Sequence, residues 1–96
     1  MYILFRTIAY KISFKKISAL RMAKSLEEKI GLVLYDMRIK AGYSQEELAN
    51  QSEVDRSYIS EIERGLKTPS ITIITRIATV FGLKTWELIR KAEEWK

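Results

Sequence analysis

The chain has 96 residues, a net charge of +5 and an apolar fraction of 47%, which together suit one folded domain. It contains no cysteine and no histidine. Disulfides and thiolate zinc sites are therefore excluded, and most hydrolytic and metal-dependent mechanisms lack their usual general base or ligand. We expect neither an enzyme nor a protein that depends on a metal or a cofactor.

The positive charge is unevenly distributed along the chain. Residues 1–21 carry five basic residues and no acidic residue, which equals the whole surplus. Residues 22–96 therefore hold twelve basic and twelve acidic residues. Affinity of this second part for a polyanion would have to come from the local placement of charge, because its net charge is zero.

Residues 1–21 form a basic and apolar extension whose structure the sequence does not define. Phe5, Ile8 and Ile12 have helical spacing, whereas Ile12 and Phe14 alternate as in a strand. The longest apolar run is five residues, far short of the roughly 18–20 that a membrane span needs, and no secretory signal is present. We leave this extension unassigned and expect a cytoplasmic protein without a membrane partner.

Capping and breaking residues divide the rest of the chain into short helices. Ser25 with Glu28, and Ser44 with Glu47, have the three-residue spacing of a capping box. Further predicted helix starts are Asp55, Pro69-Ser70 and Thr85. The predicted helices cover approximately residues 26–41, 45–51, 56–64, 71–81 and 86–92.

Residues 71–81 carry conflicting signals. The string SITIIT, which begins at Ser70, is rich in β-branched residues that favour a strand. Apolar residues nevertheless recur with i, i+3, i+4 spacing over three turns before Gly82. These residues are Ile71, Ile74, Ile77, Ala78 and Phe81. The period favours a helix, so the predicted fold is all-α, with five helices and no strand from Met22 onward.

The second and third predicted helices have the features of a helix-turn-helix, in which one helix projects into the major groove of DNA. Ala49 supplies the small residue where the two helices cross, and Val54 supplies the apolar anchor of the turn. Ile59 and Ile62 are inward residues three positions apart. Because all four have the required spacing, Ser44–Glu63 is predicted to be a DNA-binding unit.

The string SQEELANQSEVDRSYISEIERGLKTPS resembles the helix-turn-helix of Cro/CI-type regulators, and its DRSYISEIERG core resembles the controller proteins of restriction–modification systems. The resemblance extends over roughly Leu26–Ala92. It implies a five-helix, lambda-repressor-like domain, here residues 22–96, that regulates transcription by binding double-stranded DNA. Because such proteins typically begin near what is Met22 here, residues 1–21 are expected to be translated upstream sequence.

The outward face of the third helix is the predicted base-reading surface. Arg56 has the planar pair of donors that matches guanine O6 and N7. Glu61 either accepts from a cytosine amino group, pairs with Arg64 or repels wrong sites. The alternative for the whole face is an ordinary solvated helix surface. The residues assigned to base readout are Arg56, Ser57, Ser60 and Glu61.

A second set of residues is predicted to contact the DNA backbone. The resemblance places Gln45 on a phosphate at a helix N-terminus, where free N–H groups and partial positive charge favour an anion. Otherwise Gln45 is a plain polar residue at the start of a helix. Lys67 is equally consistent with a solvated surface lysine. The residues assigned to the backbone are Gln45, Tyr58, Arg64, Lys67 and Thr68.

Arg38 and Glu63 are assigned a structural role, because the resemblance implies a partly buried ion pair between the first and third helices. Two other positions depart from the family's pattern. Glu53 occupies the turn position that glycine usually fills, so the turn is expected to be slightly altered. Ser52 stands where most members have an apolar residue, although serine there is also similar to controllers.

A twofold dimer on two half-sites is the family's means of reading enough base pairs. Leu88 and Ala92 of the last helix are expected to lie in the core. The residues left for a dimer interface are Leu83, Trp86 and Ile89, with Trp95 as a further candidate. Trp86 is equally able to complete the small core.

The leading hypothesis is a homodimeric regulator on a near-palindromic operator, such as a controller of its own operon. It would block RNA polymerase or recruit it through Glu46 and Glu47. An antitoxin that represses its own operon is an alternative of the same class. A protein-interaction adaptor is an alternative of another class, since fold does not fix function. A membrane-surface role for residues 1–21 is disfavoured, because no amphipathic period is resolved.

Overall fold

A computed structural model describes residues 24–95, in which all regular secondary structure is helical. The helices are α1 (Leu26–Ala41), α2 (Gln45–Ser52), α3 (Arg56–Glu63), α4 (Ile71–Val80) and α5 (Thr85–Glu93). The predicted all-α, five-helix fold is confirmed. None of these helices is long and apolar enough to cross a membrane. The extension 1–21 and its predicted upstream origin lie outside the described residues.

The two capping boxes fix the starts of α1 and α2. At α1 the Ser25 hydroxyl accepts from the Glu28 backbone N–H at 3.1 Å, and the Glu28 carboxylate accepts from the Ser25 N–H at 3.3 Å. The same reciprocal pair joins Ser44 and Glu47 at 3.0 and 3.2 Å. Each box satisfies two donors that the helix itself leaves unpaired, so both predicted helix starts are confirmed.

The start of α5 differs from its prediction. Thr85 is the first residue of the helix, and its hydroxyl lies 2.7 Å from that of Thr75 on α4. The Glu87 carboxylate instead accepts from the Lys84 backbone N–H at 2.9 Å. The expectation that Thr85 caps the helix is therefore wrong, because a contact between helices takes up its hydroxyl.

The core lies where all five helices meet. Helix α1 packs against α3 and α5, and α2 packs against α3 and α4. The largest fully buried side chains are Leu34, Leu48, Ile59, Ile62 and Leu88. Ala49, Val54 and Ala92 are also buried, so the core predicted for the helix-turn-helix and for α5 is confirmed. Ile71 is 64% exposed, against the prediction that it shares the apolar face of α4.

In the turn between α2 and α3, a glutamate takes the backbone conformation that glycine usually supplies. Glu53 adopts the left-handed conformation, with φ of 56° and ψ of 36°. This conformation costs a non-glycine residue on the order of 1 kcal/mol. Two bonds hold the turn: Val54 N–H donates to the Ala49 carbonyl at 3.2 Å, and Arg76 of α4 donates to the Glu53 carbonyl at 3.2 Å. The expectation of an altered turn is therefore wrong.

Ser52 shows how a polar residue occupies a position that is usually apolar. Its side chain is buried, and its hydroxyl donates to the Leu48 carbonyl one turn earlier at 2.6 Å. A buried hydroxyl without such an acceptor would cost roughly 1–3 kcal/mol. The local bond removes that penalty, so serine is accommodated within the core.

Candidate nucleic-acid interface

The orientation of α3 follows from its cap and its apolar residues. The Asp55 carboxylate accepts from the Ser57 backbone N–H at 3.0 Å and fixes the first turn. Ile59 and Ile62 are fully buried, so the opposite face of the helix points away from the core. Arg56 and Ser57 are exposed on that face, and Ser60 and Glu61 are half-buried beside them.

A shallow cleft of about 180 Å³ lies where the start of α2 meets this face of α3. Its lining residues are Gln45, Arg56, Ser57, Ser60, Glu61 and Arg64. The structure thus brings all four base-reading candidates together with two of the backbone candidates. Tyr58 instead packs partly against the core, and Lys67 and Thr68 lie exposed in the loop that follows α3.

Arg38 and Glu63 form a two-bond ion pair between α1 and the end of α3. Arg38 Nε lies 2.6 Å from Glu63 Oε2, and Nη2 lies 3.0 Å from Oε1. Their side chains are only 9% and 5% exposed. The hydrogen bond to Glu63 raises the pKa of Arg38 above its ordinary value, against the opposing effect of burial, so the guanidinium keeps its charge at all ordinary pH values.

Two further contacts join this ion pair to the start of α2. Arg38 Nη1 donates to the Tyr43 carbonyl at 2.9 Å. The amide Nε2 of Gln45 donates to Glu63 Oε1 at 3.1 Å. One guanidinium and one carboxylate therefore connect α1, α2 and α3, and set the position of the α2 N-terminus relative to α3. The contact of Gln45 was missed from the sequence, since no local pattern relates residues 18 positions apart.

The loop after α3 begins with a tight helix end at Gly65. Gly65 has φ of 72°, and the N–H of Leu66 donates to the Glu61 carbonyl at 2.9 Å, which is the bond pattern of a glycine C-terminus. This turn brings Lys67 Nζ to 3.7 Å from Glu61 Oε2. Arg64 instead donates to the Ser60 carbonyl at 3.4 Å. Glu61, for which pairing with Arg64 was one predicted alternative, thus contacts Lys67.

Thr68 lies at the far end of this loop, next to α1. Its hydroxyl donates to Glu27 Oε1 at 3.4 Å, a distance near the limit for a hydrogen bond. The side chain therefore contacts the first turn of α1 and stands apart from the cleft.

A helix-turn-helix family model matches residues 34–88, a span that contains α2, the turn and α3. The chain belongs to the helix-turn-helix family. The regulator SinR of Bacillus licheniformis is 36% identical over 66 residues, which cover 68% of this chain and 60% of that protein. This chain spans 55 to 62% of the length of the first three curated relatives it matches.

Solved structures of controller proteins have the same fold. The restriction–modification controller protein C.AhdI from Aeromonas hydrophila is 39% identical with a TM-score of 0.62, over 65% of this chain and 94% of that one. The controller C.Esp1396I bound to a 25 base pair operator site is 30% identical with a TM-score of 0.62, over 74% of this chain and 97% of that one. The predicted resemblance to helix-turn-helix regulators, controllers among them, is confirmed.

Proposed function

We propose that this protein is a sequence-specific DNA-binding transcription regulator of the controller kind. The observation that carries the proposal is the outward face of α3, where Arg56 lies beside Ser57, Ser60 and Glu61. The buried ion pair between Arg38 and Glu63 holds this helix against α1. The resemblance to a controller solved on its operator supports it. We assign no catalytic step to this protein and place its action in the cytoplasm, where transcription is regulated.

We assign base readout to Arg56, Ser57, Ser60 and Glu61. Arg56 is exposed at the first turn of α3, where recognition helices in the major groove make base contacts. Its guanidinium has the donor geometry for a guanine edge, which is worth about 1–3 kcal/mol of discrimination. The two serines are short enough to let the helix backbone approach the base edges closely.

We assign backbone contacts to Gln45, Tyr58, Arg64, Lys67 and Thr68. The Gln45 amide has two N–H donors, of which one is directed at Glu63. The other remains for a phosphate oxygen, so the contact with Glu63 would orient Gln45 for the DNA backbone. The exposed guanidinium of Arg64 at the end of α3 adds a charge that would hold phosphate without reading sequence.

We also propose a homodimer formed through Leu83, Trp86 and Ile89. Leu83 and Ile89 pack partly against the core, whereas Trp86 is 57% exposed. Ile71, the first residue of α4, is also exposed, at 64%. Burying the exposed ring of Trp86 in a partner would be favourable.

Trp86→Ala is expected to weaken the dimer at least tenfold, because it removes an aromatic anchor at the centre of the proposed interface. Sedimentation equilibrium would measure the change. Ile39→Ala is the matched control, since Ile39 is an exposed apolar residue on α1. Equal dimer affinity in both variants would contradict the assigned interface.

The polymerase contact is assigned to Glu46. This residue is exposed near the start of α2, whereas the carboxylate of Glu47 is occupied by the cap of the same helix. A negative side chain in that place would meet a basic surface of RNA polymerase bound beside the operator. Recruitment by this contact would make the protein an activator at sites that adjoin a promoter.

Selection of preferred sites from random duplexes tests the proposed function. The wild-type protein is expected to enrich a near-palindromic sequence with two half-sites about one helical turn apart. An adaptor that uses the same fold would enrich nothing. An antitoxin-type repressor would also enrich a site, and would in addition be isolated with a toxin bound to it. Absence of any enriched sequence would contradict the proposal.

A further inference from the structure

Glu61 lines the cleft between α2 and α3 and also contacts Lys67 in the loop that follows α3. Its carboxylate Oε2 is 3.7 Å from Lys67 Nζ, with the two side chains 32% and 50% exposed. The Glu61 carbonyl accepts from the N–H of Leu66, the residue before Lys67. Backbone and side chain thus both hold this loop to the last turn of α3.

Lys67 differs in this respect from the other cations of the same surface. Within residues 24–95, neither Arg56 nor Arg64 has a carboxylate within ion-pair distance. Among these residues, the hydrogen bond that Arg64 makes is to the backbone carbonyl of Ser60. Of these three cations, Lys67 is therefore the one that forms an ion pair with Glu61.

We infer that Glu61 is a specificity-determining residue that makes a phosphate contact of Lys67 conditional on a base contact; this inference rests on the proposed function. A duplex that offers a cytosine amino group opposite Glu61 attracts the carboxylate, since carboxylates accept from cytosine N4. Lys67 is then released to a phosphate. On any other duplex the carboxylate stays with Lys67.

This arrangement makes a wrong site lose two contacts at once. A site without the amino group gives up the base contact of Glu61, and it also gives up the phosphate contact of Lys67. A phosphate contact by itself carries no sequence information. Its dependence on Glu61 is what converts a general electrostatic contact into a selective one.

The salt dependence of binding tests this coupling, because each phosphate contact adds about 0.9 to the slope of log K against log salt on duplex DNA. The probes are the selected operator and a random duplex of equal length. Glu61→Gln is expected to steepen the slope on the random duplex by about 0.9. It is also expected to reduce the ratio of operator to random affinity about tenfold.

Two controls isolate the contact with Lys67. In a Lys67→Gln background, Glu61→Gln is expected to leave the slope on the random duplex unchanged. Glu93→Gln removes the same charge from an exposed site on α5 and is expected to change neither slope nor ratio. Circular dichroism of each variant checks that the fold is intact.

An unchanged slope in Glu61→Gln, with operator preference present in the wild type, would overturn this inference and leave the proposed function standing. An equal steepening with and without Lys67 would also overturn it, since Glu61 would then act by general repulsion. A wild-type protein that prefers no duplex would overturn the proposed function and this inference together.

Discussion

Glu63→Ala is expected to lower the free energy of unfolding by about 3–5 kcal/mol. The substitution leaves the guanidinium of Arg38 buried without a carboxylate, and it removes the acceptor of the Gln45 amide. A charge that cannot be hydrated and has lost its partner is among the most costly single changes in a protein. Urea unfolding followed by circular dichroism at neutral pH would measure the loss.

The double variant Arg38→Met, Glu63→Leu is the matched control for this prediction. Replacing both charges by apolar side chains of similar size removes the uncompensated charge, so most of the lost stability should return. A loss below about 1 kcal/mol for Glu63→Ala would contradict the assignment of the pair as a brace between α1 and α3.

Gly31→Ala is the second substitution with a large expected effect. A Cβ at this position would overlap the carbonyl oxygen of Ile62 and lie 2.9 Å from that of Glu63. Both are backbone atoms at the end of α3, so α1 would have to move away from α3. We expect a loss of about 3 kcal/mol, although alanine is the better helix former by about 1 kcal/mol. Thermal and urea unfolding would measure it.

Gly82→Ala is the control that separates steric overlap from backbone conformation. Gly82 has φ of 69°, and a Cβ there would meet nothing within 4 Å. Its loss should come from the left-handed conformation alone and amount to about 1 kcal/mol. Equal stability of the Gly31→Ala and Gly82→Ala proteins would show that α1 and α3 do not approach as closely as the structure indicates.

The sequence predicts most of the helices because their signals are local. The capping boxes at Ser25 and Ser44 form as predicted. In α4 the residues are helical, as their 3.6-residue period predicts, although many of them are β-branched. Two of the errors occur where a distant residue decides the outcome. Arg76 lies 23 positions after the turn whose carbonyl it contacts, and Thr75 takes up the hydroxyl that was expected to cap α5.

The candidate interface shows the same division between local and distant information. The outward face of α3 follows from the buried positions of Ile59 and Ile62, which the spacing alone predicts. The partners of its side chains do not follow from spacing. Glu61 has a cation three positions away in Arg64, yet the turn at Gly65 brings Lys67 to it instead. Loop geometry, which sequence patterns describe poorly, determines that choice.

The most direct test of the proposed function measures the binding of Arg56→Ala to the selected operator and to a random duplex at one salt concentration. We expect an affinity loss of about 10- to 100-fold on the operator, equivalent to roughly 1–3 kcal/mol, and little loss on the random duplex. Arg64→Ala, which removes one of the proposed phosphate contacts, should weaken both by the same factor. Equal losses on both duplexes for Arg56→Ala would contradict base readout by α3.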